Sequence, residues 1–345
     1  MDLDALSGVI AYKHTGDDVT TVTAAFDRIT INHPLHEICD LELSGQVTYV
    51  GKSSMEITLQ VAKAGQAGAT TKPEDVMLTC SCTMVSLDPG TKKPVSVSPV
   101  RTDSEAEKRL FEQGEKNSKH RKDLRQRSLL RTAPNDEESD LIHALWQRHL
   151  KYHDPNDPLR KPDHVFFMDA TKLSTASIMQ PQYRNRHHFM IFGGFLLKQT
   201  FELAFCCAAS FAHARPTFVS LDPSTFQNPV PVGSVLYLTA TVVYTDPPLL
   251  AGQTGGTAPE QTREDNQRTR VQVRVDSKVR DVEHGETKPS GQFNYTFTVN
   301  KNIKVLPRTY TEFMMYVDAR RRARRVIETV KRGEADGGSQ NRVTE

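Results

Sequence analysis

The stretch from Gln180 to Phe205, QPQYRNRHHFMIFGGFLLKQTFELAF, constrains this chain more than any other. A polar loop carrying Asn185, His187 and His188 runs into a glycine pair, Gly193 and Gly194. From there to about His213 the sequence is apolar on almost every side. A helix that is apolar all round has no solvent face and is buried. Its first N–H groups have no acceptor within the helix, and glycine in that turn lets another group approach them closely. A buried helix opened in this way can hold an electron-rich oxygen at its positive end. The fold must therefore wrap a layer around the helix and bring a polar partner to its start.

Runs rich in Val, Thr and Ile can supply that layer. They fall at about 171–179, 217–222, 233–245, 268–280 and 290–300. The first hundred residues show the same order. A short helix over 2–14, with Leu3, Leu6 and Ile10 and the small Ala5, Gly8 and Ala11 on its apolar face, precedes runs at 19–32, 42–50, 53–63 and 77–88. One helix followed by four strands thus occurs twice, an internal repeat of element order. A length of 345 residues suits two domains.

The intervening stretches differ. Residues 100–165 are dense in charge, with two helical segments, SEAEKRLFEQGEKNSKHRKDLRQRSLL and ESDLIHALWQRHLKYH, that read as a solvated linker. Residues 247–267 are rich in Pro, Gly, Thr and Gln and read as a disordered insertion. The end of the chain begins as a basic helical run and finishes as a polar, solvated tail.

Several function classes fall away. Lys and Arg number 44 against 42 Asp and Glu, without the basic excess of a dedicated nucleic-acid binder. The longest apolar run, Ile191 to Ala214, is interrupted by Lys198, Gln199 and Glu202, so a soluble protein without a membrane span is expected. The five cysteines show neither CxxC nor zinc spacing. Adjacent loop histidines 187 and 188 make a poor chelating set, and no metal or cofactor is expected. Gly51-Lys52-Ser53 lacks the upstream glycine of a phosphate loop and lies between two strands, as a hairpin turn does. No GxSxG elbow occurs.

Taken together, DLDALSGVIAYKH (2–14), GQVTYVGKSSMEI (45–57), FQNPVPVGSVLYLTATVVYT (226–245), VQVRVDSKV (271–279), LPRTYTEFMMYVD (306–318) and the loop–helix stretch resemble the acyl-CoA thioesterases with two fused hotdog domains. The mitochondrial acyl-coenzyme A thioesterase 9 type is the nearest in pattern. The resemblance implies an α+β fold, a tandem (double) hotdog in which each long central helix is wrapped by an antiparallel sheet. It divides the chain into a first hotdog (1–100), a charged helical linker (101–165), a second hotdog (166–305) and a C-terminal basic helix and tail (306–345). It also places a strand and a loop ahead of the DLDAL helix, so the natural start is expected upstream of Met1 and the first hotdog lacks its N-terminal strand.

The implied activity is hydrolysis of fatty acyl-CoA to free fatty acid and CoA-SH. Such a reaction needs an activated water and donors for the oxyanion. Read from the residues alone, Asp4 is an acid at a helix N-terminus and Asn185 a turn residue. The resemblance makes Asp4 the general base and Asn185 the group that positions water or carbonyl across the two domains, with the N–H groups of Gly193 and Gly194 as the oxyanion hole. Glu202 stands near the corresponding place in the second helix. Phe192, Phe195 and Leu196 are candidate walls of an acyl tunnel, and Arg184, Arg186 and His187 are candidates for the CoA phosphates. Assembly as a homo-oligomer, possible as a trimer of double hotdogs, and a mitochondrial address are implied by the family only. Two rivals share the fold: a non-catalytic acyl-CoA-binding or interaction protein, and a dehydratase using the His187/His188 pair.

Overall fold

Runs rich in β-branched residues, as in Thr20–Phe26 and Val235–Asp246, fit a pleated surface. In the computed structural model these runs form antiparallel strands. The structure describes all residues except 32–36, 66–74, 127, 128, 130, 154, 155, 157–159, 186–189, 251–267 and 341–345; the side chains of 124–126 and 326–340 are also outside the description.

The first half runs α1 (Asp2–Thr15), β1 (Thr20–Phe26), β2 (Ile29–Thr30), β3 (Leu41–Val50), β4 (Ser54–Lys63), β5 (Val76–Leu87), α2 (Glu105–Gln126). The second runs α3 (Asp136–Lys151), β6 (Val165–Phe167), β7 (Leu173–Ile178), α4 (Gly193–Ala212), β8 (Thr217–Leu221), β9 (Ser224–Thr225), β10 (Val235–Asp246), β11 (Thr269–Arg280), β12 (Thr287–Val299), β13 (Lys304–Leu306), α5 (Tyr310–Gln340). The class is α+β. One sheet has the order β3-β4-β5-β1-β9 and the other β2-β8-β12-β11-β10-β7.

The run expected as one strand over 19–32 breaks at Asp27 and Arg28. β1 remains in its own sheet, while β2 crosses to pair with β8; β9 makes the reciprocal crossing to β1. Phe26 opposite Ser224 and Ile29 opposite Leu221 keep one register, so the exchange joins the two sheets edge to edge. An Arg28–Asp222 ion pair sits at its centre.

Each sheet carries one helix on its inner face. α1 presents Ser7 and Ala11 to a core of Phe26, Met55, Ile57, Leu59 and Cys82. α4 presents Ala204, Ala208 and Phe211 to a larger core containing Val242, Val273 and Phe293. Full burial of a Val, Leu or Phe side chain contributes roughly 1.5–3 kcal/mol. By length and composition α4 is apolar enough to cross a membrane, and this packing accounts for that composition.

The outer faces correct two expectations. α2, expected as a solvated linker helix, lies against β3: Phe111 packs on Tyr49 with ring centroids 5.1 Å apart, and Arg121 bonds Asp27 at 2.6 Å and Glu56 at 2.7 Å. α5 occupies the corresponding place on the second sheet, where Tyr316 packs on Tyr244, also at 5.1 Å. Tyr49 and Tyr244 each follow a register shift in their strands. The basic start of the expected tail is likewise held down, with Arg320 on Glu137 at 2.8 Å and Arg321 on Glu138 at 2.6 Å. Both expectations failed for one reason: a charged helix can pack when the partner acids come from distant segments, which the linear pattern does not display.

Candidate active site

The sequence feature that opened the argument predicted an oxygen at the start of α4. The structure supplies one from the other half of the chain. Asp4 Oδ2 accepts the Gly194 N–H at 2.5 Å, and Oδ1 accepts the Thr23 hydroxyl of β1 at 2.7 Å. Glycine is required at this crossing. A Cβ on Gly194 would come within 3.0 Å of the Met1 Cα and 2.9 Å of the Phe192 ring, and one on Gly193 within 3.1 Å of Asp4 Oδ2.

Asp4 is 2% exposed. Burial raises its pKa above the ordinary aspartate value; the bonds from Thr23 and Gly194 oppose that shift without cancelling it. The positive ends of α1 and α4 both favour the ionised form. The result is a carboxylate that is fixed in place and more basic than a surface aspartate. Behind it, Met84 Sδ lies 3.5 Å from the Thr23 hydroxyl and 3.7 Å from Ser7 Oγ.

Asp4 lines a cavity of about 880 Å³ between the halves. Arg184, Asn185, Phe192, Gly193 and Leu196 line it from the second half, as does Phe226. Asn185 Oδ1 is buried and has no hydrogen-bond partner among the described residues. The structure thus brings Asp4, Asn185 and Gly193 to one cavity.

Other expected residues stand elsewhere. The Gly194 N–H is engaged by Asp4, so it anchors the acid and does not face the cavity as an oxyanion donor. Glu202 is outside the site: it is half exposed on α4 and pairs with Lys198 at 3.7 Å. Matching the two helices puts the place corresponding to Asp4 near Phe201 with Glu202 one step on, and that step turns Glu202 outward. Phe195 does not line the cavity; it stacks on Tyr183 at 3.8 Å. Arg186 and His187 lie outside the described residues, as does His188. Thr23 was missed. It is one of five threonines from Thr15 to Thr30, both included, and only the packing of α1 on β1 singles it out.

A covalent cysteine route finds no support among the buried thiols. Burial pushes Cys80 and Cys207 up to about 12 and Cys82 well above its ordinary value, which keeps them protonated. Among the described residues no group of three or more His, Cys, Asp or Glu could hold a metal ion.

The chain is 34% identical to acyl-coenzyme A thioesterase 9, mitochondrial, of Mus musculus over 332 residues, 93% of this chain and 69% of that protein. This chain belongs to the acyl-coenzyme A thioesterase family. Acyl-coenzyme A thioesterase 10, mitochondrial, of Mus musculus matches at 32% over the same shares of each chain. A chloroplastic relative, acyl-coenzyme A thioesterase 2 of Humulus lupulus, matches at 33% over 95% of this chain and 71% of its own. No protein-family model matches the chain. Among solved structures, an acyl-CoA hydrolase from Bacillus cereus superposes on 52% of this chain and 98% of its own, with a TM-score of 0.39 at 18% identity, a likeness too loose to transfer geometry to this thioesterase.

Proposed function

We propose that this chain hydrolyses acyl-CoA thioesters at a single cross-domain site on a tandem hotdog scaffold, using water and neither a metal nor a covalent intermediate. The observation that carries the proposal is the burial of Asp4 against the N-terminus of α4, in the wall of a cavity shared with Asn185. Asp4 takes a proton from a water as that water's oxygen attacks the thioester carbonyl carbon. The unpartnered Asn185 oxygen accepts the water's second hydrogen and orients the attack. The Gly193 N–H, a first-turn donor with no acceptor inside its helix, stabilises the oxyanion; one such donor is worth about 10²–10³ in rate. Collapse of the tetrahedral species breaks the C–S bond, and the proton held by Asp4 passes to the departing CoA thiolate. The products are a fatty acid and CoA-SH. Arg184, which lines the cavity, with Arg186 and His187 close by in sequence, supplies cations for the CoA phosphates. The mitochondrial thioesterase 9 and 10 relatives support a mitochondrial location, and assembly as a homo-oligomer is proposed from the family resemblance alone.

The test is thiol release from a series of acyl-CoAs by the wild-type protein, Asp4→Ala and Asn185→Ala. The expected loss at Asp4 is about 10²–10⁴ in turnover. Undiminished release from Asp4→Ala overturns the mechanism. Absence of release from wild-type protein that still binds acyl-CoA overturns the activity.

A further inference from the structure

Gly8 has no role in the site described so far, and its place calls for a reason. It sits inside α1, where glycine costs roughly 0.5–1 kcal/mol relative to alanine. Unlike Gly194, it is not pressed by a neighbour. A Cβ built on Gly8 would meet nothing within 4 Å, and Gly8 lines the same cavity as Asp4. The missing side chain is therefore space belonging to the cavity.

That space has a direction. Asp4, Gly8 and Tyr12 form one stripe of α1 along the cavity wall, spanning about 12 Å at 1.5 Å per residue. Val22 and Thr21 of β1, with Val85 and Leu87 of β5, follow the same course opposite it. Their register runs from Thr23 opposite Met84, beside the acid, to Thr20 opposite Leu87 at the far end. The walls along this arm are mainly aliphatic. Asn185, Arg184, Gln227 and Asn228 line the cavity from the second half; on the first half the polar lining, besides Asp4 and Thr23, is Thr21, Tyr12 and Lys92.

We infer that this arm receives the acyl chain and that Gly8 sets the chain length the enzyme accepts, by leaving the arm open midway along its length. The inference rests on the hydrolase reading above and goes further, naming the specificity-determining residue for the acyl group. A side chain at position 8 would block the arm beyond it, so carbons distal to the block lose their place while those next to the thioester keep theirs. Exclusion of a single methylene from an apolar pocket is worth about 10–200-fold in kcat/KM.

The experiment compares wild type, Gly8→Ala, Gly8→Leu and Gly8→Phe on acyl-CoAs from acetyl to palmitoyl, reading kcat/KM by thiol release. The helix gains propensity in each variant, so melting temperatures equal to or above wild type are expected and misfolding is separable. The expected result is a cut-off that moves to shorter chains as the residue grows. For Gly8→Leu, selectivity for the longest against the shortest substrate should fall by at least about 10-fold. A KM that rises equally for every chain length, with weaker inhibition by free CoA, would assign the arm to the CoA portion and overturn the inference. Unchanged selectivity in Gly8→Phe would also overturn it. Calorimetric binding of the same series to Asp4→Asn carriers of each substitution reads the arm without turnover, so failure of the activity itself remains distinguishable. Unshifted binding across the chain lengths there would count against the arm as well.

Discussion

Counted back from the helix ends Thr15 and Ala212, Asp4 and Phe201 hold the same place in the two inner helices. Asp4 meets a hydroxyl and a helix N–H and lines a cavity. Phe201 meets Phe218, Tyr295 and Phe297 with ring centroids 5.4, 5.9 and 6.1 Å away. The two halves therefore share an architecture but not a task. One contributes the acid, the other the loop and the helix start that hold it, and the place where a second acid would stand has become aromatic core. The outer faces differ in the same way. Arg121 knits Glu56 and Asp27 under α2, whereas the position across the sheet from Tyr244 is Gln272, whose buried side-chain oxygen has no partner among the described residues. A repeat duplicates its backbone easily because strand pairing is generic. Its polar side chains diverge because each buried one must find its own partner.

The comparison breaks most sharply at Asp4. Asp4→Asn should abolish most turnover and yet stabilise the fold. Because the folded pKa of Asp4 lies above its unfolded value, its contribution is present at low pH and is lost as pH rises through the folded value. The advantage of the asparagine variant should accordingly be smallest in acid and grow toward neutral pH, visible as a Tm difference of about 2–4 °C for each kcal/mol. A Tm below wild type at neutral pH would contradict this account.

Gly194→Ala tests the other side of the contact. Overpacking against the Met1 backbone should cost about 1–3 kcal/mol and move the acid, so both Tm and turnover fall; denaturant titration and thiol release read the two effects. Alanine at 194 with wild-type stability would show the crossing to be looser than described.

Thr23→Val removes a donor to a buried carboxylate, an effect of about 1–3 kcal/mol. The Thr23 bond lowers the Asp4 pKa, so its loss should raise it. The acid limb of the kcat/KM profile then moves to higher pH, while Thr23→Ser restores it. The smallest effect belongs to Glu202→Gln. With its carboxylate half exposed and paired only at the surface, stability should change by less than about 0.5 kcal/mol and thiol release should not change. A large loss there would reinstate the second helix as a catalytic contributor.

Much of the architecture was readable beforehand because it depends on local periodicity. The buried helix opened by Gly193 and Gly194 and the repeated helix-and-strands order follow from residue spacing, while the α+β class came with the family resemblance. Asp4 and Asn185 were marked by position in recognisable segments. Thr23, the kink at Asp27 and the docking of α2 were not readable, since each depends on a partner scattered along the chain: Asp4 for Thr23, Leu221 for Ile29, and Tyr49 for Phe111. Glu202 misled because a single helical step of about 100° separates a buried face from an exposed one, and the segment boundaries estimated from sequence do not resolve one step.

The sequence by itself determined that an apolar helix would be enclosed by strands and that its glycine start would take up an oxygen, because an unpaired buried N–H at a positive helix end demands an acceptor. Only the tertiary structure decided which oxygen. Two helices from opposite halves had to meet closely enough for Asp4 Oδ2 to stand 2.5 Å from the Gly194 nitrogen, a contact between residues 190 positions apart in the chain that leaves no trace in local composition.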